Sequence, residues 1–205
     1  NWANKLQHLS LGMVDLPSGK MKSREGSVVD ADELISSMID KAKVISDTLG
    51  KINDLVDSEK KQLYKTIALG ALKYHILKVD PKKKILFNPE ESIDFNGNTG
   101  PFIQYTYARI KSILNKNRNT THEFNELKLA QKEKELIILL CEFKNILKNS
   151  VKTLNPSLIA NHIYEVVKLY NSYYQTHTIL GNKNINSFRV YLSEKVAMQI
   201  DKSMG

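Results

Sequence analysis

From Pro101 to Ser203, apolar side chains recur every three or four residues with few breaks. This periodicity restricts the second half of the chain to a packed set of helices. Pro101 suits a first helical position, where its missing N–H costs nothing. A polar loop at 117–122 precedes a long helix over about 123–152, with Leu127, Leu129, Ala130, Leu136, Ile137, Leu140, Phe143 and Leu147 available for burial. Asn155 caps the next helix with Pro156 as its first residue, and Leu158, Ile159, Ile163, Val166, Val167 and Tyr170 mark its inner face. A last helix begins near Asn186 or Ser187 and runs to Ser203. Helices of this length in sequence predict a four-helix-type bundle.

The first half is more mixed. Residues 9–29 predict a strand, a loop and a short extended return through Val28-Val29. Asp30 with Glu33 three residues on is a capping-box pattern, and Val29 with Leu34 can staple the turn. Leu34, Ile35, Met38, Ile39, Ala42, Ile45 and Leu49 then share one helix face, with Gly50 as a stop. A second helix is predicted over about 58–77, with Leu63, Ile67, Ala71 and Leu72 inward, ended by Asp80-Pro81. Residues 82–100 predict an irregular connector with one short strand at Ile85-Leu86-Phe87 and the domain boundary.

Charge separates the halves. Residues 1–100 carry 15 Lys and Arg against 14 Asp and Glu, whereas residues 101–205 carry 15 against 8. An anionic partner is therefore expected on the second half, although excess lysine also serves solubility. Cys141 is the one cysteine, which excludes an internal disulfide and suits a reducing compartment, the cytoplasm. In the run Leu139-Leu140-Cys141-Glu142-Phe143 it is expected to be a buried small hydrophobe. No apolar stretch approaches the roughly 20 residues of a membrane span, and no signal peptide is visible. A start at Asn1 and an end straight after a helical pattern predict a piece of a longer protein.

Two loops carry the chemistry. Gly19-Lys20-Met21-Lys22-Ser23-Arg24-Glu25-Gly26 packs three cations between glycines, an arrangement suited to a polyanion that arrives, reacts and leaves. It lacks the order of a P-loop, and taken alone it is a weak signal that a basic surface turn explains more simply. Asn96-Gly97-Asn98-Thr99-Gly100-Pro101 introduces the aromatic, basic stretch Phe102-Ile103-Gln104-Tyr105-Thr106-Tyr107-Ala108-Arg109. Phe102, Tyr105 and Arg109 fall at i, i+3 and i+7, along one helix face. Tyr170, Tyr173 and Tyr174 form a second aromatic group, of which Tyr174 is the expected exposed member. His75, His122, His162 and His177 lack metal-ligand spacing with cysteine or acidic partners, so no protein-bound metal is expected.

His8-Leu9-Ser10-Leu11-Gly12-Met13-Val14, followed by the loop at 19–26, closely resembles the region around the KMSKS loop of class I aminoacyl-tRNA synthetases, and of the bacterial arginyl type above all. Ala68-Leu69-Gly70-Ala71-Leu72-Lys73-Tyr74 and Phe95 to Tyr105 resemble later stretches of the same family. Ala160-Asn161-His162-Ile163-Tyr164-Glu165 through Tyr174, and Phe188-Arg189-Val190-Tyr191-Leu192 onward, resemble its helical anticodon-binding domain.

The resemblance implies a mainly α chain: the end of a catalytic domain over 1–96, then an all-helical anticodon-binding bundle over 97–205. It implies ATP, with magnesium, as substrate, and arginine tRNA and arginine as partners, in a monomeric cytoplasmic enzyme with no membrane contact. Lys20 and Met21 match the first two motif positions, Lys22 falls on the usual serine and Ser23 on the usual second lysine, so either Lys22 or Arg24 reaches the phosphates. Gly12 and Met13 match positions whose backbone lies beside adenine, and His8 lines that pocket or is structural. On the tRNA side the resemblance implies Phe102, Tyr105, Arg109 and Tyr174, with Arg189 serving RNA or pairing with a carboxylate. The HIGH-type motif and the arginine-holding strands would lie upstream, so this chain alone is expected not to catalyse. A cysteinyl-type synthetase and a stand-alone RNA-binding module are the alternatives.

Overall fold

The computed structural model describes residues 2–17, 30–49, 55–117, 127–180 and 183–204. The chain divides into two compact units, the first made of Asn1–Pro101 with Val151–Ser157 and the second of Phe102–Ser150 with Leu158–Gly205. The mainly α expectation holds. Among the described residues, none of the helices is long and apolar enough to cross a membrane.

In the first unit, α1 (Ala31–Leu49) and α2 (Asp57–Leu77) lie against each other. The Asp30 carboxylate accepts from Asp32 N at 2.7 Å and so supplies the cap that α1 needs. Val29 and Gly50 lie outside the described residues. Met38 and Ala42 of α1 are fully buried, and Tyr64, Ile67, Ala68 and Ala71 of α2 join them with Phe87 and Ile93 in one core. Leu34, Ile39, Ile45, Leu63 and Leu72 pack around that core only half-buried.

The early strand is shorter than the sequence suggests. β1 (Val14–Asp15) pairs in parallel with β2 (Ile85–Leu86), Val14 opposite Ile85. Val28 and Val29 lie outside the described residues. Residues 82–100 are irregular, as expected, but they are not a loose connector. β2 is followed by α3 (Pro89–Ser92), capped by the Asn88 side chain through Glu90 N, and Phe87 and Ile93 sit in the core.

The second unit contains most of α4 (Gly100–Asn115), α5 (Gln131–Thr153), α6 (Ser157–Thr176) and all of α7 (Lys183–Met204). Helix α7 starts at Lys183, a turn earlier than the sequence pattern suggests, because its first turn, Lys183-Asn184-Ile185-Asn186, offers a single apolar residue. Helix α6 is the hub. Ile163, Val166, Val167 and Tyr170 are fully buried along the expected inner face. Asn171 bonds to α4, Tyr173 to α5, and Tyr170 to α7.

Helix α5 departs from expectation. Of its predicted inward residues only Leu136 is fully buried, and Leu147 is 43% exposed. Cys141, expected to be buried, is exposed. Ile137, Leu140, Cys141 and Phe143 instead line an open groove shared with Phe188, Tyr191 and Met198 of α7. Periodicity marks a face, but a neighbour must be present to cover it, and α5 is covered mainly near its start.

Candidate nucleotide and nucleic-acid sites

The loop at 19–26, with Lys20, Lys22, Ser23 and Arg24, lies outside the described residues. The strand that leads into it is described. Gly12 N donates to Pro81 O at 2.6 Å, and a Cβ at Gly12 would lie 1.8 Å from Lys83 O. That glycine is required by close backbone approach, whatever else it touches. Met13 is 60% exposed and its carbonyl accepts from Ile85 N at 2.9 Å; His8 is exposed. Asp15, which the sequence reading passed over, is buried at the end of β1 and paired with Lys84 Nζ.

The Asn96–Pro101 loop belongs to the first unit and is tied down tightly. Tyr74 Oη donates to Asn98 Oδ1 at 2.6 Å, Lys78 Nζ to Asn98 O at 2.8 Å, and Thr99 Oγ1 to Asp94 O. Burial pushes the Lys78 ammonium below its ordinary value. Gly97 turns the chain at φ +82°, a conformation that favours glycine. A Cβ at Gly100 would lie 2.3 Å from Gly70 O, so α4 begins where α2 leaves room only for hydrogen.

In the second unit, three of the expected tRNA residues come together. The Arg109 guanidinium lies 4.9 Å from the centroid of the Tyr105 ring and 4.9 Å from that of Tyr174. Its Nη1 donates to Asn171 Oδ1. Tyr174, 38% exposed, stacks in turn on buried Tyr170. Phe102, half-buried on the same α4 face, packs its ring 6.1 Å from Tyr164. The result is a guanidinium between two phenol rings at the surface of a basic bundle, chemistry suited to an unstacked base and its phosphate.

Of the two partners open to Arg189, the structure supplies the carboxylate. Arg189 Nε lies 2.8 Å from Glu133 Oε1, and its Nη1 donates to Thr178 O at 2.8 Å. Asn171 and Glu133 are not legible as site residues in the sequence because their partners lie from 40 to 65 residues away. Among the described residues, no group of three or more His, Cys, Asp or Glu could hold a metal ion.

A bundle of long helices with a cation set between aromatic rings, together with a second helix-rich unit of similar size, defines a mainly α protein of two units. Residues 103–205 match the model described as the DALR anticodon binding domain, and the chain belongs to that family. Over 199 residues, 96% of the chain, it is 57% identical to the arginine–tRNA ligase of Flavobacterium psychrophilum and covers 33% of that protein. It is 49% identical over its whole length to the arginine–tRNA ligase of Phocaeicola vulgatus, covering 35% of it. The chain thus spans about a third of the length of these relatives.

Among solved structures, the Thermus thermophilus arginyl-tRNA synthetase matches 98% of the chain and 34% of its own, with a TM-score of 0.83 at 24% identity. The Plasmodium falciparum arginyl-tRNA synthetase matches 96% of the chain and 33% of its own, with a TM-score of 0.75 at 23% identity. Both establish the fold. The resemblance to arginyl-tRNA synthetases is borne out, and the named relatives favour it over the cysteinyl alternative.

Proposed function

We propose that the chain is the C-terminal portion of an arginine–tRNA ligase, which joins arginine to its tRNA through an ATP-derived arginyl-adenylate. The observation that carries this reading is the 57% identity to such a ligase along nearly the whole chain. Residues 1–96 form the end of the catalytic domain and residues 97–205 the anticodon-binding domain. The exposed apolar side chains of Trp2, Leu6, Leu9, Leu11 and Met13 support the first assignment, as a surface that the rest of a catalytic domain would cover.

Lys20, with Lys22, Ser23 and Arg24, stabilises the phosphates as pyrophosphate leaves, since a compact lysine charge on a long stem suits a developing phosphate charge. Gly12, Met13 and His8 lie on the adenine side. Magnesium enters with the ATP phosphates as part of the substrate. Phe102, Tyr105, Arg109 and Tyr174 contact the anticodon loop of arginine tRNA, and Arg189 supports that face from inside the bundle. The enzyme works as a cytoplasmic monomer.

The HIGH-type motif and the residues that hold arginine belong to the remaining two thirds of the enzyme, since the chain spans about a third of its relatives' length. Arginine-dependent pyrophosphate exchange tests the reading. The full-length protein should exchange and the 205-residue chain should stay at background. Lys20→Ala in the full-length protein should slow activation far more than it weakens arginine binding. Exchange unaffected by Lys20→Ala would sink the loop's role, and exchange by the short chain would sink the division of the active site.

A further inference from the structure

Two aromatic rings confine a guanidinium to a slab, but they do not fix its rotation within that slab. Arg109 lies between Tyr105 and Tyr174 in this way, so a third group must set where its N–H fork points. Asn171, one turn before Tyr174 on α6, supplies it. Asn171 Oδ1 accepts from Arg109 Nη1, while Asn171 Nδ2 donates to Thr106 Oγ1 at 2.7 Å and to Val167 O at 3.0 Å.

The orientation of that amide is forced. Thr106 is fully buried, and its Oγ1 donates to Phe102 O at 2.9 Å, which commits its only proton. Towards Asn171 the hydroxyl can therefore only accept. The amide must present its NH2 to Thr106 and Val167, and its oxygen is left for Arg109. A relay thus runs from the Phe102 carbonyl through buried Thr106, and then Asn171, to Arg109, linking two of the proposed tRNA residues.

We propose that Asn171, oriented by Thr106, is the positioning residue that holds Arg109 in its tRNA-contacting pose. The inference rests on the reading of Arg109 as a tRNA contact. The alternative is that Asn171 merely ties α4 to α6. Both roles would cost stability on substitution, but only a positioning role is lost once Arg109 is gone.

The experiment is a double-mutant cycle in the full-length protein, reading the Kd for an arginine tRNA transcript with thermal unfolding alongside. Arg109→Ala and Asn171→Leu should each weaken binding about tenfold, as for one well-placed charged contact. In the Arg109→Ala background, Asn171→Leu should add less than about twofold. Thr106→Val should reproduce the loss and Thr106→Ser should restore it, which keeps the test decisive should Asn171→Leu fail to fold. If folded Asn171→Leu and Thr106→Val bind tRNA normally, or their losses simply add to that of Arg109→Ala, the proposal is overturned. If Arg109→Ala itself binds normally, the tRNA-face reading falls and the proposal with it.

Discussion

Arg189 Nε meets Glu133 Oε1 at 2.8 Å inside the second unit, with the arginine side chain only 13% exposed and the glutamate only 1%. Tyr173 Oη donates to the same oxygen at 3.2 Å, and Ala130 N donates to Glu133 Oε2 at 2.8 Å. The carboxylate therefore caps the start of α5 and gathers α6 and α7 on it.

Removing one partner of such a pair strands the other charge. Arg189→Met should destabilise the bundle by about 3–5 kcal/mol in denaturant unfolding, and adding Glu133→Gln should recover much of that loss. The salt dependence of tRNA binding should be unchanged in any folded Arg189 variant. A folded Arg189→Met of normal stability that has lost affinity for tRNA would return this arginine to the RNA face.

The buried tyrosines predict an alkaline limit. Burial pushes the Tyr170 hydroxyl up to about 12, and burial together with the Glu133 carboxylate also pushes Tyr173 up. A folded-state pKa raised above the unfolded value means that the stabilisation is complete below pH 10 and is lost as pH climbs from 10 toward 12. Unfolding followed by circular dichroism should coincide there with tyrosinate absorbance, and Tyr170→Phe should flatten the decline. Ionisation of all tyrosines at pH 10 without unfolding would contradict this packing.

His75 predicts the opposite limit for the first unit. Its Nε2 donates to Leu86 O at 3.0 Å, and its buried Nδ1 has no hydrogen-bond partner among the described residues. Burial lowers its pKa, so its contribution is present above pH 6.5 and fades as pH falls through the lowered value. His75→Gln should reduce the acid sensitivity of this unit, measured by urea unfolding from pH 7 to pH 5. An identical pH dependence in wild type and variant would refute the assignment.

Gly100→Ala tests the start of α4. The new Cβ would lie 2.3 Å from Gly70 O, a backbone atom that cannot swing aside. The expected cost is about 1–3 kcal/mol, as for overpacking elsewhere. Wild-type stability in the variant would mean that Gly100 lies further from Gly70 than described.

The helices announced by caps were legible in the sequence. Asp30 and Asn155 both cap as their residue types predict, the latter through Ser157 N at 3.0 Å. Tyr174 is the exposed member of the Tyr170, Tyr173 and Tyr174 group, as expected, but periodicity does not give the reason, since it lies four residues after Tyr170 and seven after buried Val167. Cys141 and the outer face of α5 were not legible, since periodicity does not say whether a face is covered. Glu133 with Arg189, and Asn171 with Arg109, were hidden for another reason: a polar side chain in a helix does not reveal which distant residue will meet it. The loop at 19–26 was legible as wording alone, because its residues match a motif whose geometry the described residues do not include.

The proposed tRNA contact is the α4 face carrying Phe102, Tyr105 and Arg109. It is tested most directly by the affinity of the full-length protein for an arginine tRNA transcript across a salt series. Phe102→Ala should remove a stacking contribution of about 1–3 kcal/mol with little change in salt slope. Arg109→Ala should reduce the slope by about one unit. If both variants fold and bind with the wild-type affinity and slope, the tRNA contact lies on another face and the proposal is contradicted.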